Sequence, residues 1–229
     1  QPGEIDLPGF PLFALFNAAM GVTTVIPDMD FTRPADADPR NIVEAVRDWQ
    51  VTQAFGSPAL LNTLGRYCER HEVKLPTLRR VLSAGAPVPP HVLRRIRTAM
   101  ADDGEIHTPY GATESLPVAT ISSREVLSDT RARTDEGAGV CVGRPVEDAD
   151  VCVIRITDEP IPTWDGAEVL EADVVGEIVV AGPMVTREYH GRETSTRLAK
   201  IAAPSVPGGV RHRMGDLGYF DETRRLWFC

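Results

Sequence analysis

The sequence predicts an α/β fold: a parallel sheet with helices on both faces, followed by a smaller β-rich segment. Three observations predict it. Strand-like and helix-like patterns alternate with short links through the first half of the chain. The stretch 122–139, "SSREVLSDTRARTDEGAG", is charged and poor in apolar residues. Beyond it, short apolar runs separated by Gly and Pro turns replace the helical patterns. Residues 1–121 are therefore expected to form an α/β subdomain, 122–139 an exposed connection, and 140–229 a β-rich subdomain.

The elements follow in order. "FPLFALFNAAM" sets Phe10, Phe13, Phe16 or Asn17, and Met20 at helical spacing, and "VTTVIP" reads as a short strand. In "DPRNIVEAVRDW", Pro39 stands at a helix start and Ile42, Val43, Val46 and Trp49 share one face, before the strand "VTQAF". Ser57 is a candidate N-cap for "PALLNTLGRYCERH", which leads to the strand "LRRVLSAG". The helix "PPHVLRRIRTAM" and the strand "GEIHTPY" complete a fourth unit. "DADVCVIRI", "GEIVVAG" and "RLWFC" are the strands of the later segment.

Composition excludes several classes. With 229 residues, 42% of them hydrophobic, the chain can fill a core, and its net charge of -9 disfavours a protein that neutralises phosphates along a nucleic acid. Cys68, Cys141, Cys152 and Cys229 form no C-x-x-C pair, so a reducing, cytoplasmic setting fits and neither zinc nor a disulfide framework is expected. Residues 7–27 are uncharged and long enough to span a membrane, but Pro8, Gly9, Pro11, Asn17 and Gly21 interrupt them, so no transmembrane segment is expected. Glu4 and Asp6 stand where a signal peptide would be basic. The basic runs "RRIR" and "RHR" read as solvated faces.

"SAGAP" (83–87) and "YGATE" (110–114) fall just after predicted strands, on the sheet edge where ligands gather. Gly85 can expose backbone groups to a ligand, or join strand to helix. Gly111 permits close approach or positive φ, Tyr110 offers a flat ring, Thr113 a hydroxyl, and Glu114 a hard oxygen suited to Mg²⁺. The alternative is a turn with Tyr110 in the core, Thr113 as N-cap and Glu114 in a first helical turn. Asp216, between two glycines in "RMGDLGYFDE", can accept bonds from vicinal hydroxyls or form an Asx turn. His71, His91, His107, His190 and His212 show no metal-ligand spacing, and no G-x-S-x-G occurs, which disfavours a hydrolase.

The order of "LRRVLSAGAPVPP", "YGATES", "VGRPV", "GEIVVAGPMVTREYH" and "GDLGYFDETRRLWF" resembles the successive core motifs of the adenylate-forming superfamily. "PGEIDLPGFPLFALF" and "IPDMDFTRPADADPRNIVEAVRDWQVTQAFGSPALL" are most similar to its β-lactone synthetase branch, from bacterial long-chain olefin biosynthesis. The resemblance implies that Tyr110 stacks on adenine, with Gly85, Ala86 and Pro87 against the ring's other side, and that Gly111 and Ala112 complete the AMP cradle. It implies Thr113 on the α-phosphate, Glu114 on Mg²⁺, with Thr113 and Glu114 as the catalytic pair, and Asp216 on the ribose hydroxyls.

The implied reaction uses ATP to activate a long-chain β-hydroxy fatty acid as an acyl-adenylate, which closes to a β-lactone with release of AMP. The implied partners are the small-molecule acid and enzymes of a hydrocarbon pathway. The alternatives are a long-chain fatty-acyl-CoA ligase and a non-catalytic nucleotide-binding module. Ala14 stands where many relatives carry histidine, and Arg224 where they carry glycine. The superfamily's phosphate loop is expected before residue 1 and its lysine-bearing lid after Cys229, so these residues are expected to be the central part of a larger enzyme, without ATP–pyrophosphate exchange of their own.

Overall fold

Alternating strands and helices require a sheet that buries its apolar residues under the helices, and the computed structural model, which describes residues 2–229, builds that first. It divides into two units, 2–108 with 122–129, and 109–121 with 130–229. Residues 109–121, expected with the α/β part, thus pack within the second unit.

The first unit contains β1 (Ile5–Pro8), α1 (Ala14–Ala19), β2 (Thr23–Thr24), α2 (Pro39–Asp48), β3 (Gln53–Phe55), α3 (Pro58–Arg70), β4 (Arg80–Leu82), α4 (Pro90–Ala99) and the start of β5 (Glu105–Ala112). Its strands run in the order β2-β1-β3-β4-β5, with parallel registers Asp6↔Gln53, Ala54↔Val81 and Val81↔Ile106. That order is one of the two common doubly wound arrangements, with its switch point between β1 and β3. Asp38 accepts from the Arg40 N–H (2.9 Å) and Ser57 from the Leu60 N–H (3.3 Å), so local capping starts α2 and α3 where expected. Ile42, Val43 and Val46, Leu60, Leu61 and Leu64, and Val92, Leu93 and Ile96 bury one face of each long helix around Leu7, Val81 and Ile106. Each is worth about 1.5–3 kcal/mol when fully buried.

Three expectations change here. Trp49, assigned to the buried face of α2, lies beyond its last turn and is 62% exposed. In α1 the sole buried residue is Asn17, whose Nδ2 donates to Asp6 Oδ2 (2.7 Å) and Thr24 Oγ1 (2.9 Å), while Phe10, Phe16 and Met20 stay exposed. The helix is held by a polar pin and turns its apolar side outward. The stretch 7–27 is broken among β1, α1 and β2, and among the described residues no helix is long and apolar enough to cross a membrane.

The second unit continues β5 into β6 (Ser115–Ser122). The connection that follows is helical rather than open: α5 (Ser123–Glu125), a π turn (Val126–Thr130) and α6 (Arg131–Asp135). Ser122 and Glu125 form a reciprocal capping box, and Val126 and Leu127 pack on the first unit's own core. Then come β7 (Val140–Pro145), β8 (Asp150–Ile154), β9 (Gly176–Ala181), α7 (Glu193–Ala199), β10 (Lys200–Ala202), β11 (Val210–Phe220) and β12 (Leu226–Phe228). These strands pair antiparallel in the order β6-β7-β12-β11-β9-β8, with β10 on β11. All six residues of β9 are buried: Ile178 and Val180 join one apolar cluster and Val179 another, so this central strand is covered on both faces. Among the described residues no cysteine is disulfide-bonded.

Candidate functional site

β5 does not stop at Tyr110. It runs to Ala112, and Thr113 and Glu114 form a two-residue turn into β6, so no helix follows for Thr113 to cap. Gly111 has an ordinary negative φ, because its requirement is steric: a Cβ there would meet Ser115 O at 2.6 Å and Leu116 Cδ1 at 2.8 Å. The glycine permits the close return of β6. The turn exposes Thr113 and leaves Glu114 half-buried, while Tyr110 packs against the apolar cluster of its unit with its ring 6.0 Å from that of Phe228.

Asp216 is placed by a bulge. β11 pairs with β9 at Arg213↔Val179 and again at Leu217↔Glu177, so Met214, Gly215 and Asp216 stand opposite the single residue Ile178. Bulges of this kind re-aim side chains beside functional sites. The reading of Asp216 as an Asx-turn residue does not hold, since it lies inside an eleven-residue strand. Its Oδ2 accepts a 2.7 Å hydrogen bond from the Tyr110 hydroxyl, across 106 residues of sequence. Burial raises the Tyr110 phenol far above its ordinary value, and the Asp216 charge adds to this. Among the described residues Oδ1 of Asp216 has no partner, and it remains available to a ligand hydroxyl.

Glu114 has a matching arrangement. Tyr189, in the loop before α7, donates to its Oε1 at 2.8 Å, and the Thr186 N–H donates to its carbonyl at 2.8 Å. The Tyr189 bond holds the Glu114 carboxyl below its ordinary value, with His212 and Lys200 adding positive potential. Burial lowers the Lys200 ammonium to about 8 against the opposing pull of Glu114, and burial together with Lys200 lowers His212. No cluster of three or more His, Cys, Asp or Glu that could hold a metal occurs among the described residues, so the protein alone makes no cage for one. The Glu114 carboxylate is contacted by the Tyr189 hydroxyl and by its own main-chain N–H, and a single carboxylate of this kind fits Mg²⁺, which keeps its waters and takes further ligands from phosphates.

Gly85, Ala86 and Pro87 lie in the first unit, exposed in the loop between β4 and α4. Gly85 has φ +93° and open space where a Cβ would stand, so its backbone conformation alone requires glycine. Among the described residues the buried hydroxyls of Ser83 and Ser115 have no hydrogen-bond partner; Ser83 opens "SAGAP" and Ser115 directly follows "YGATE". Tyr189, Lys200 and His212 escaped sequence reasoning as site residues. "GEIVVAGPMVTREYH" marked the neighbourhood of Tyr189 without giving it a role, and a lysine opening the apolar run "KIA" was the available sign for Lys200.

Residues 9–190 match the family of AMP-binding enzymes. The chain is 53% identical over 231 residues to an olefin beta-lactone synthetase of Xanthomonas campestris pv. campestris and 52% identical over 231 residues to one of Stenotrophomonas maltophilia. Each match covers 100% of this chain and 41% of the relative, so the chain spans about two fifths of the length of these relatives. The crystal structure of CmiS6 superposes with a TM-score of 0.76 at 27% identity, covering 100% of this chain and 52% of that one.

Proposed function

The chain belongs to the family of AMP-binding enzymes, and from that membership we propose that the intact protein activates a long-chain β-hydroxy fatty acid with ATP and closes it to a β-lactone. The observation that carries this reading is the identity of 53% to an olefin beta-lactone synthetase along the whole of this chain, with the Tyr110–Asp216 and Tyr189–Glu114 pairs in place.

In this reading the substrate carboxylate attacks the α-phosphorus of ATP, the new C–O–P link forms and the bond to pyrophosphate breaks. The β-hydroxyl then attacks the acyl carbon, loses its proton and expels AMP. The chain's residues bind and orient. Asp216 Oδ1 accepts from a ribose hydroxyl while Tyr110 fixes Oδ2, and the Tyr110 ring face takes adenine, an interaction worth about 1–3 kcal/mol. The roles proposed for the remaining residues are contact with the base for Gly85, Ala86 and Pro87, exposed in their loop, contact with AMP for Gly111 and Ala112, and donation to the α-phosphate for the exposed hydroxyl of Thr113. Glu114 would hold Mg²⁺, which when bound neutralises charge on the phosphates during transfer.

The acid's apolar chain finds a matching surface in the first unit. In doubly wound sheets ligands commonly bind beyond the carboxyl ends of the strands at the switch point, and near those ends of β1 and β3 Phe13 and Phe55 contact with ring centroids 4.6 Å apart while Phe10, Leu12 and Phe16 are exposed, which supports this reading. Leu60 and Val118 lie in the cores of their units and take no part in that surface.

The test is product analysis with the intact protein, a long-chain β-hydroxy acid, ATP and Mg²⁺, with and without coenzyme A. A β-lactone and AMP in the absence of the thiol are expected. Turnover only with the thiol, giving an acyl-CoA, would replace the lactone reading with the ligase one.

A further inference from the structure

Tyr189 is half-buried, yet it fills no core. It lines a shallow, open depression of about 420 Å³ with Arg192, Ser195, Leu198 and Ala199, and its polar end turns to Glu114. The segment 186–189 grips Glu114 twice, through the Thr186 N–H to the main-chain carbonyl and the Tyr189 hydroxyl to Oε1. That segment is itself braced. The Tyr189 N–H donates to Thr196 Oγ1 (3.0 Å) in α7, and Lys200 Nζ donates to Thr186 Oγ1 (3.1 Å) at the head of β10 while lying 5.6 Å from the Tyr189 ring centroid. A side chain serving only as packing would need neither the hydroxyl nor the braces.

We infer that Tyr189 is a positioning residue for the metal: it occupies one oxygen of Glu114 and fixes the carboxylate so that the second oxygen is presented to Mg²⁺. The inference rests on the proposed role of Glu114 as the metal ligand. A neutral phenol suits this task, because it orients the carboxylate without cancelling the charge that attracts the cation. The opposite arrangement, a latch that competes with the metal for the carboxylate, would have the same resting geometry and the reverse consequence on removal.

Mn²⁺ serves as the probe, titrated into the AMP-saturated intact protein and followed by electron paramagnetic resonance, for the wild type, Glu114→Gln and Tyr189→Phe. Metal-free AMP affinity of each is measured by calorimetry. Tyr189→Phe is expected to weaken Mn²⁺ binding by about tenfold or more, the usual scale for losing a partner of a metal ligand, with AMP affinity unchanged. In ATP–pyrophosphate exchange, the Mg²⁺ concentration for half-saturation should rise while the rate at saturating Mg²⁺ is retained. Unchanged or tighter Mn²⁺ binding by Tyr189→Phe would overturn the positioning role and leave Glu114 a ligand, as would an equal loss of AMP affinity. Wild type and Glu114→Gln binding Mn²⁺ alike would remove the metal from Glu114, and this inference with it.

Discussion

Replacing Asp216 by alanine perturbs two things that the structure ties together. The first is the ligand. If Oδ1 accepts from a ribose hydroxyl, losing hydrogen bonds to a charged group costs about 1.5–3 kcal/mol, which is about 10- to 150-fold in the AMP dissociation constant. The second is the fold. Oδ2 is the acceptor for the Tyr110 hydroxyl at 2.7 Å, and an abandoned, largely buried hydroxyl costs about 1–3 kcal/mol of stability. A double-mutant cycle with Tyr110→Phe separates the two: stability measured by urea unfolding should show a coupling of about 1.5–3 kcal/mol. Asp216→Asn keeps an acceptor for Tyr110 and should recover part of the stability without recovering AMP affinity. The phenol gives a third readout, since the Asp216 charge helps to raise it; in Asp216→Ala its ultraviolet titration should begin at lower pH than in the wild type. AMP affinity unchanged by Asp216→Ala would refute the ribose assignment. Additive effects in the cycle would show that the Tyr110 bond contributes nothing.

Gly111→Ala should destabilise the protein by about 1–3 kcal/mol, the cost of overpacking, because the added Cβ would lie 2.6 Å from Ser115 O; a neutral shift in the denaturant midpoint would show that the close return of β6 is not what the glycine permits. Asp221 should carry an acid-sensitive share of stability: burial alone would raise its carboxyl, but bonds from the Trp227 indole and the Thr223 and Arg225 main chain outweigh burial and hold it at about 2. A lowered folded-state value contributes stability that is fully present above the ordinary 3.8 and is lost as pH falls toward 2. Acid unfolding of Asp221→Asn should therefore have a shallower slope across that window, and an unchanged slope would dismiss the carboxylate as a contributor.

What the sequence disclosed follows the range of the interaction involved. α2 and α3 were legible because their N-caps, Asp38 and Ser57, bond within three residues. The capping box Ser122–Glu125 was equally local, and "SSRE" carried it in plain sight; the charge of the following residues masked the helical start. β1 was missed because its identity depends on partners far along the chain: Asp6, an unpromising strand residue, is tolerated by its bond to Asn17. The outward apolar side of α1 inverts the rule that helical spacing marks the buried face, and a single polar pin suffices to invert it. At the site, residue types and order pointed to Tyr110, Glu114 and Asp216. The bonds that organise them span 106 and 75 residues, beyond any periodicity or spacing rule.

Those two bonds share a chemical logic that a third pair in the same unit makes visible. Arg213 and Glu177 are both buried and joined through Nε (2.9 Å) and Nη2 (2.6 Å), so the carboxylate's charge is consumed by the guanidinium and its role is structural. Asp216 and Glu114 are instead held by phenols, which are neutral donors at ordinary pH and, in this protein, are pushed further from ionisation, Tyr189 to about 12. Each tyrosine takes one carboxylate oxygen, removes the freedom of the group to swing, and leaves its negative charge in place. A carboxylate that must later accept from a hydroxyl or meet a cation needs that combination, because an arginine in the tyrosine's position would satisfy the group before the ligand arrived.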